Sequence, residues 1–308
     1  MSPFPVLTKA MVCFVVLSAA VLARAEWQRT ETSLGWQEGG NLVWRFSFDP
    51  KAGKPYFHPL SVAGGASLTD FKPGDHPWHY GLWFSWKYIN RVNYWEEDKN
   101  SGRGEGLTRW TKPLIETSPD GSARLLFNVT YVHPSGREEI GEQRELRVSA
   151  PAKNGGYTID WYSQFTAGAA GVTLDRTPMP NEPNGRYNGG YGGLSLRLAS
   201  PPVELAAVTP NGPVTDCVQE RSRPTAPAVA FNLKSAGKLL GGVAIVSDPK
   251  NTSGEATWYI VNSPEMRWVC AAVLAPKPLH FNPGAVWKLH YKIIVRPAEW
   301  TPEDLKGL

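Results

Sequence analysis

Ala123-Arg124-Leu125-Leu126-Phe127-Asn128-Val129-Thr130-Tyr131-Val132 leads into His133-Pro134-Ser135-Gly136, and a second run continues from Gly136 to Val148. Apolar and polar side chains alternate along most of both runs, the period of an extended strand. Proline and glycine in the join supply a tight turn, so the stretch predicts an antiparallel hairpin. Working outward, the same alternation predicts strands at Leu42–Phe48, Gly156–Thr166, Tyr191–Leu198, Ala228–Leu233, Leu239–Val246, Thr257–Val261, Trp268–Leu274 and Val286–Val295. Only the tail, Thr301-Pro302-Glu303-Asp304-Leu305, reads as a helix start. So many strands in series predict an all-β antiparallel sandwich or barrel. No linker or fixed-period repeat divides residues 26–308, so one domain is expected there.

The 308 residues include 30 Gly, 27 Pro, 13 Trp and 11 Tyr, a composition of strands joined by loops. Residues 1–25 read as an export signal: Lys9 is the positive end, Met11 to Leu22 the apolar run, and Ala23-Arg24-Ala25 the small-x-small cleavage site. No later stretch approaches the ~20 apolar residues of a membrane helix, so the mature chain is expected to be soluble and exported, periplasmic or secreted. Cleavage removes Lys9 and Arg24, taking Lys+Arg from 32 to 30 against 28 acids, a net charge of +2. Without a Lys/Arg block, neither nucleic acid nor an anionic membrane surface is the expected partner. Cys217 and Cys270 remain; an oxidising compartment would allow a disulfide, and their spacing leaves the pairing open.

Strand parity assigns faces. Glu138, Ile140, Glu142, Arg144 and Leu146 share one face, while Arg137, Glu139, Gln143, Glu145 and Arg147 share a wet one. Glu142 and Arg144 are then either a structural ion pair or part of a polar cleft. Tyr157, Ile159, Trp161 and Phe165 oppose Thr158, Asp160, Tyr162 and Gln164, a polar face suited to hydroxyl-rich ligands or to water. Asp175 to Gly190, with Glu182, Arg186 and Tyr187, reads as a long loop, and structureless loops of this length tend to be functional.

Chemistry is densest at Asp75-His76-Pro77-Trp78-His79-Tyr80-Gly81-Leu82-Trp83-Phe84-Ser85-Trp86-Lys87-Tyr88-Ile89-Asn90-Arg91-Val92-Asn93-Tyr94-Trp95. Imidazoles move protons or bind metal near neutral pH. Flat aromatic faces suit either sugar rings or a core. Trp86, Tyr88 and Tyr94 share one parity, Trp83 and Trp95 the other, so part of the series must be core. Pro77 argues against a regular helix, so the spacing alone does not put both histidines on one face. His58, His76 and His79 with Asp75 offer donors for a divalent metal, with no firm site among them. Glu96-Glu97-Asp98 reads as a solvated acidic turn.

These residues resemble a bacterial family of unknown function often labelled PmoA, after the methane mono-oxygenase subunit. The resemblance runs through Tyr56-Phe57-His58-Pro59-Leu60, Leu68-Thr69-Asp70, Asp75 to Phe84 and Val92-Asn93-Tyr94-Trp95. It continues at Tyr191-Gly192-Gly193-Leu194-Ser195-Leu196-Arg197, at Gly242 to Asn251 and near Tyr291–Val295. Two positions depart from the family pattern: Trp78 replaces a frequent third histidine and Arg91 a common glycine. The missing histidine argues against a metal held by three adjacent ligands. A particulate methane mono-oxygenase subunit is membrane-embedded, which the polarity of residues 26–308 does not match.

The resemblance implies a galactose-mutarotase-like β-supersandwich, a fold of sugar epimerases, polysaccharide lyases and glycosidase domains. It implies a carbohydrate or sugar-derived small molecule as partner. The expected enzyme uses His76 and His79 as acid and base with Glu142 or Asp160 as partner carboxylate. Asp75, Trp86, Tyr94, Arg186, Tyr191 and Arg197 would contact substrate. Arg197 is the natural cation for an anionic group. The alternatives are a non-catalytic glycan-binding module and, as the inherited label would have it, a metal-dependent oxidase.

Overall fold

The hairpin forms. In a computed structural model that describes residues 25–308, Ala123–Val132 pairs with Glu138–Val148. The predicted leader up to Arg24, Cys13 included, lies outside the described residues. His133 N donates to Arg137 O at 2.8 Å and Gly136 N to His133 O at 2.8 Å, closing the turn. A bulge between Tyr131 and Val132 shifts the register. It corrects the predicted faces locally: Glu138 is exposed, whereas Glu139, expected to be wet, is buried. Beyond the bulge Ile140, Glu142, Arg144 and Leu146 point inward as parity predicts.

Ten strands build one large sheet, in the order Gly212–Pro213, Val203–Thr209, Ala228–Ser235, Lys238–Ser247, Val286–Arg296, Tyr157–Ala167, Glu138–Val148, Ala123–Val132, Leu107–Trp110, with Leu114–Thr117 also on Ala123–Val132. A nine-stranded sheet runs Glu26–Arg29, Ser33–Glu38, Asn41–Ser47, Tyr56–Leu60, Leu82–Ser85, Gly193–Arg197, Arg267–Ala271, Trp258–Asn262, Arg221–Ser222. Leu279–Phe281, Val172–Asp175, Tyr88–Ile89 and Val92–Asn93 form a small third sheet. Pairing is antiparallel throughout the large sheets. The architecture is an all-β antiparallel sandwich of supersandwich size.

The two large sheets meet through aromatic side chains: Phe46 on Phe127 at 5.7 Å, Phe57 on Trp161 at 6.3 Å, and Phe84 on Phe165 at 5.6 Å between ring centroids. Such pairs add about 0.5–1.5 kcal/mol beyond the burial of their area. Alternation then turns the opposite parity of the nine-stranded sheet outward. Leu82, Phe84, Leu194, Leu196 and Val269 enter the core between the sheets. Trp83, Trp268, Cys270 and Tyr259 instead join a second aromatic cluster on the sheet's outer face.

The predicted tail helix is Pro302–Lys306, with Thr301 and Asp304 forming a capping box and proline in the first turn. Its Leu305 packs with Trp300, Val208, Ala228, Ala230 and Ala244 on the outer face of the ten-stranded sheet. No helix among the described residues is long and apolar enough to cross a membrane. Cys217 and Cys270 are both free thiols, the first exposed and the second buried.

Candidate functional site

Residues 73–79 fold into successive turns: His76 N donates to Pro73 O at 3.0 Å, and His79 N to His76 O at 3.0 Å. Pro77, which rules out a regular helix, occupies the second position of this last turn and pre-sets its backbone. The turn, not helical periodicity, brings the two imidazoles together. They stack at 4.7 Å with 28° between their planes. Beneath them is the outer face of the nine-stranded sheet. Gly193, at φ +134, lets its strand approach Arg267–Ala271, because a Cβ there would collide with Ala271 O.

One fully buried guanidinium organises the turn. Arg197 donates from Nη2 to both oxygens of Asp75 at 3.1 Å and to Glu265 O at 3.0 Å. Its Nη1 lies 3.3 Å from His79 Nδ1. Asp75 Oδ2 is in turn 2.7 Å from His76 Nδ1. A guanidinium only donates, so His79 Nδ1 accepts and a neutral His79 carries its proton on Nε2. Asp75 as a carboxylate only accepts, so His76 donates from Nδ1 and directs Nε2 away from it. Burial, reinforced by the charges of His76, Arg197 and Lys54, pushes His79 well below its usual range, so it is neutral. Burial works against ionisation of Asp75, but the His76 hydrogen bond and the Arg197 charge prevail and hold its carboxyl low.

The imidazoles form one wall of a cleft of about 250 Å³ lined also by Trp78, Trp95, Glu96, Asn188, Tyr191, Arg221, Tyr259, Met266 and Trp268. Trp268 packs edge-on against Tyr259 at 5.2 Å and Trp95 lies 5.8 Å away, a rigid aromatic floor. Glu96 accepts from Tyr191 Oη at 2.7 Å and Asn93 Nδ2 at 2.7 Å and pairs with Lys87. Burial would raise its pKa; Lys87 and these donors overcome that and keep it ionised. Burial, reinforced by the charge of Glu96 and the same bond, pushes the Tyr191 hydroxyl far above its usual range, so it stays a donor. Glu97 is spent on buried Lys54 and on Tyr80. The acidic run Glu96-Glu97-Asp98 is thus no solvated turn; only Asp98 is exposed.

The other expected site residues are elsewhere. Glu142 is inside the sandwich, bound to Arg144 at 2.7 Å, Ser163 at 2.6 Å and Tyr131 at 2.9 Å, with no route to the cleft. Asp160 projects from the outer face of the opposite sheet, 3.4 Å from His290, which also reaches Asp248 at 3.1 Å. Trp86 and Tyr94 belong to the main core; Trp83 and Trp95, of the opposite parity, join the outer aromatic cluster, and Trp95 lines the cleft. Arg186 is exposed on the loop that contributes Asn188. His58 bonds Thr69 at 2.9 Å and stacks on Phe71 at 5.3 Å, apart from the pair. Among the described residues no three His, Cys, Asp or Glu side chains converge as a metal would require. Sequence reasoning set Glu96 aside as part of a solvated turn and missed Trp268, Tyr259 and Arg221; four separate segments deliver these residues to one place.

Residues 34–308 match the model of a family of unknown function, DUF6807. No curated protein sequence matches the chain. Solved structures similar to it include the GH36 α-galactosidase AgaB from Geobacillus stearothermophilus, at 8% identity and a TM-score of 0.48, covering 88% of this chain and 40% of that one. The galactosidase domain of the α-galactosidase-sucrose kinase AgaSK gives 9% identity and a TM-score of 0.43, over 87% of this chain and 40% of that one. The chain spans 40% of the length of each of these structures.

Proposed function

For a chain that belongs to DUF6807, a family of unknown function, we propose from the cleft itself a carbohydrate-directed enzyme in which His76 moves the proton. The observation that carries this is the 2.7 Å bond from His76 Nδ1 to Asp75, itself fixed by buried Arg197, beside an aromatic-floored cleft. Asp75 orients the ring, leaving Nε2 to take a proton from a sugar hydroxyl or return one. His79, neutral and protonated on Nε2, is a hydrogen-bond donor rather than a base. Glu96, kept ionised, accepts from substrate hydroxyls. At about 250 Å³ the cleft is just below the roughly 300–1,000 Å³ of pockets for drug-sized ligands, the room of a single sugar ring.

The leader read in residues 1–25 adds a compartment, the periplasm or outside, where such substrates are met. Mass spectrometry of the exported protein should find its first residue at Glu26.

The activity test is proton NMR of the protein with neutral and uronic oligosaccharides, beside His76→Ala. New vinyl signals, changed anomeric signals or released reducing ends that the variant does not produce would establish the enzyme and its reaction class. Line broadening without chemical change would make the cleft a glycan-binding site instead. No response to any sugar would remove the carbohydrate reading.

A further inference from the structure

The segment Tyr94–Glu97 has two working sides. Trp95 and Glu96 face the histidine cleft, while Tyr94 and Glu97 line a second cavity of about 450 Å³. Its other walls are the turn at Pro50–Lys54 and the loop from Ser101 to Arg109. Lys51, Lys54, Arg103 and Arg109 line it against a single carboxylate, Glu97, a net of three positive charges. Glu97 is already committed: Lys54 and Tyr80 hold it, and Gly53 makes room, since a Cβ there would strike its carboxylate. Lys54 also donates to Trp95 O at 3.0 Å, tying the cavity to the back of the cleft wall.

Lys51, Arg103 and Arg109 are exposed, and none of them forms an ion pair among the described residues. Three cations without an ion-pair partner among the described residues surround a concavity and raise the local concentration of anions, and guanidinium groups bind carboxylates and tetrahedral oxyanions in pairs of hydrogen bonds. The cleft, by contrast, sets Arg221 against Glu96 and has no such excess.

We propose that this second cavity binds an oxyanion, a carboxylate or sulfate, carried by a glycan. The oxyanion follows from the charges alone; the glycan rests on the carbohydrate reading of the neighbouring cleft. A nucleic-acid strand fits poorly, because the one aromatic lining the cavity, Tyr94, is 2% exposed and offers no face for base stacking.

Calorimetric titration of the full chain tests this with five probes: a galacturonate trisaccharide, a sulfated galactose trisaccharide, the neutral galactose trisaccharide, sodium sulfate and an oligothymidylate. The acidic glycans should bind about tenfold or more tighter than the neutral one, and the margin should shrink with added salt. Arg103→Ala/Arg109→Ala removes two exposed, unpaired side chains and should abolish that margin while leaving neutral-sugar affinity unchanged. His76→Ala should keep the margin, which separates this cavity from the cleft's chemistry. Sodium sulfate matching the sulfated glycan would keep the oxyanion and overturn the glycan. Equal affinity for acidic and neutral sugars, an undiminished margin in the double variant, or tighter binding of an oligothymidylate would overturn the proposal.

Discussion

Arg197 fixes the protonation pattern of two histidines at once. It contacts His79 through Nη1 and holds Asp75, which holds His76. The two rings, stacked face to face, must therefore be opposite tautomers when neutral: proton on Nδ1 in His76 and on Nε2 in His79. Long-range proton–nitrogen correlation spectra above pH 8 should show this directly. Arg197→Lys, which cannot span both partners, should mix the tautomers of His79 while His76 keeps its own. The same tautomer on both rings would sink the assignment. Glu142 is the opposite case, a carboxylate whose partners are all structural. Inside the sandwich it neutralises Arg144, whose guanidinium sits 4.8 Å over Trp161. Breaking a buried pair strands a charge, so Glu142→Gln should cost about 3–5 kcal/mol in urea unfolding. It should leave sugar affinity of the folded protein intact. A loss under about 1 kcal/mol would mean the pair is not buried as described.

At the scale of elements, Arg176 anchors the loop after Val172–Asp175. Its buried guanidinium donates to Leu274 O at 2.8 Å and Glu182 Oε1 at 2.6 Å, and Glu182 Oε2 accepts from Met179 N at 2.8 Å. Hydrogen bonds to charged groups are worth about 1.5–3 kcal/mol each, so Arg176→Ala should free the loop without unfolding the sheets. Limited proteolysis should then cut first between residues 176 and 192, and Asn188 and Tyr191 should lose their place in the cleft. Cleavage elsewhere first would show that the loop is held by other contacts. What the sequence revealed divides along the same line. Strand alternation was legible because it is local: Ala123–Val132 and Val286–Arg296 differ little from their predicted bounds. Tyr56–Leu60 escaped because Pro59 argues against a strand interior. The histidine pair was named together with Asp75, Tyr191 and Arg197, but Trp268, Tyr259 and Arg221 were not, because no local pattern ties them to it. Glu96 and Glu97 look like a wet acidic run until Lys87 and Lys54 arrive from other parts of the chain. Parity separated Trp86 and Tyr94 from Trp83 and Trp95, yet which set faces the core depends on where the other sheet lies.

Over the whole molecule the histidines set how stability follows pH, and they oppose one another. His58 is lowered from 6.5 to about 4, by burial above all, with Asp70 resisting and Arg45 assisting. The unfolded chain accepts this proton near 6.5 and the folded chain only near 4, so stability is lost as pH falls through that window. His79 is lowered too and acts in the same direction. His290 is raised, chiefly by its bond to Asp160 and against burial, so its contribution is complete below 6.5 and fades as pH rises through its folded value. The carboxylates of Asp75, Glu96 and Asp160 are lowered, and they protect the fold until pH drops into their own, more acidic range. Between pH 7 and pH 5 two neutral histidines, His79 buried and His58 partly buried, therefore outweigh one charged one, and the fold should weaken. His58 alone accounts for at most about 2 kcal/mol of that loss, less to the extent that its partial exposure lets water screen it. Urea unfolding at both pH values should show the loss in the unaltered protein, a smaller one in His58→Gln and a larger one in His290→Gln. Equal stability at the two pH values, or an unchanged slope in His58→Gln, would mean that His58 takes up its proton without leaving the fold.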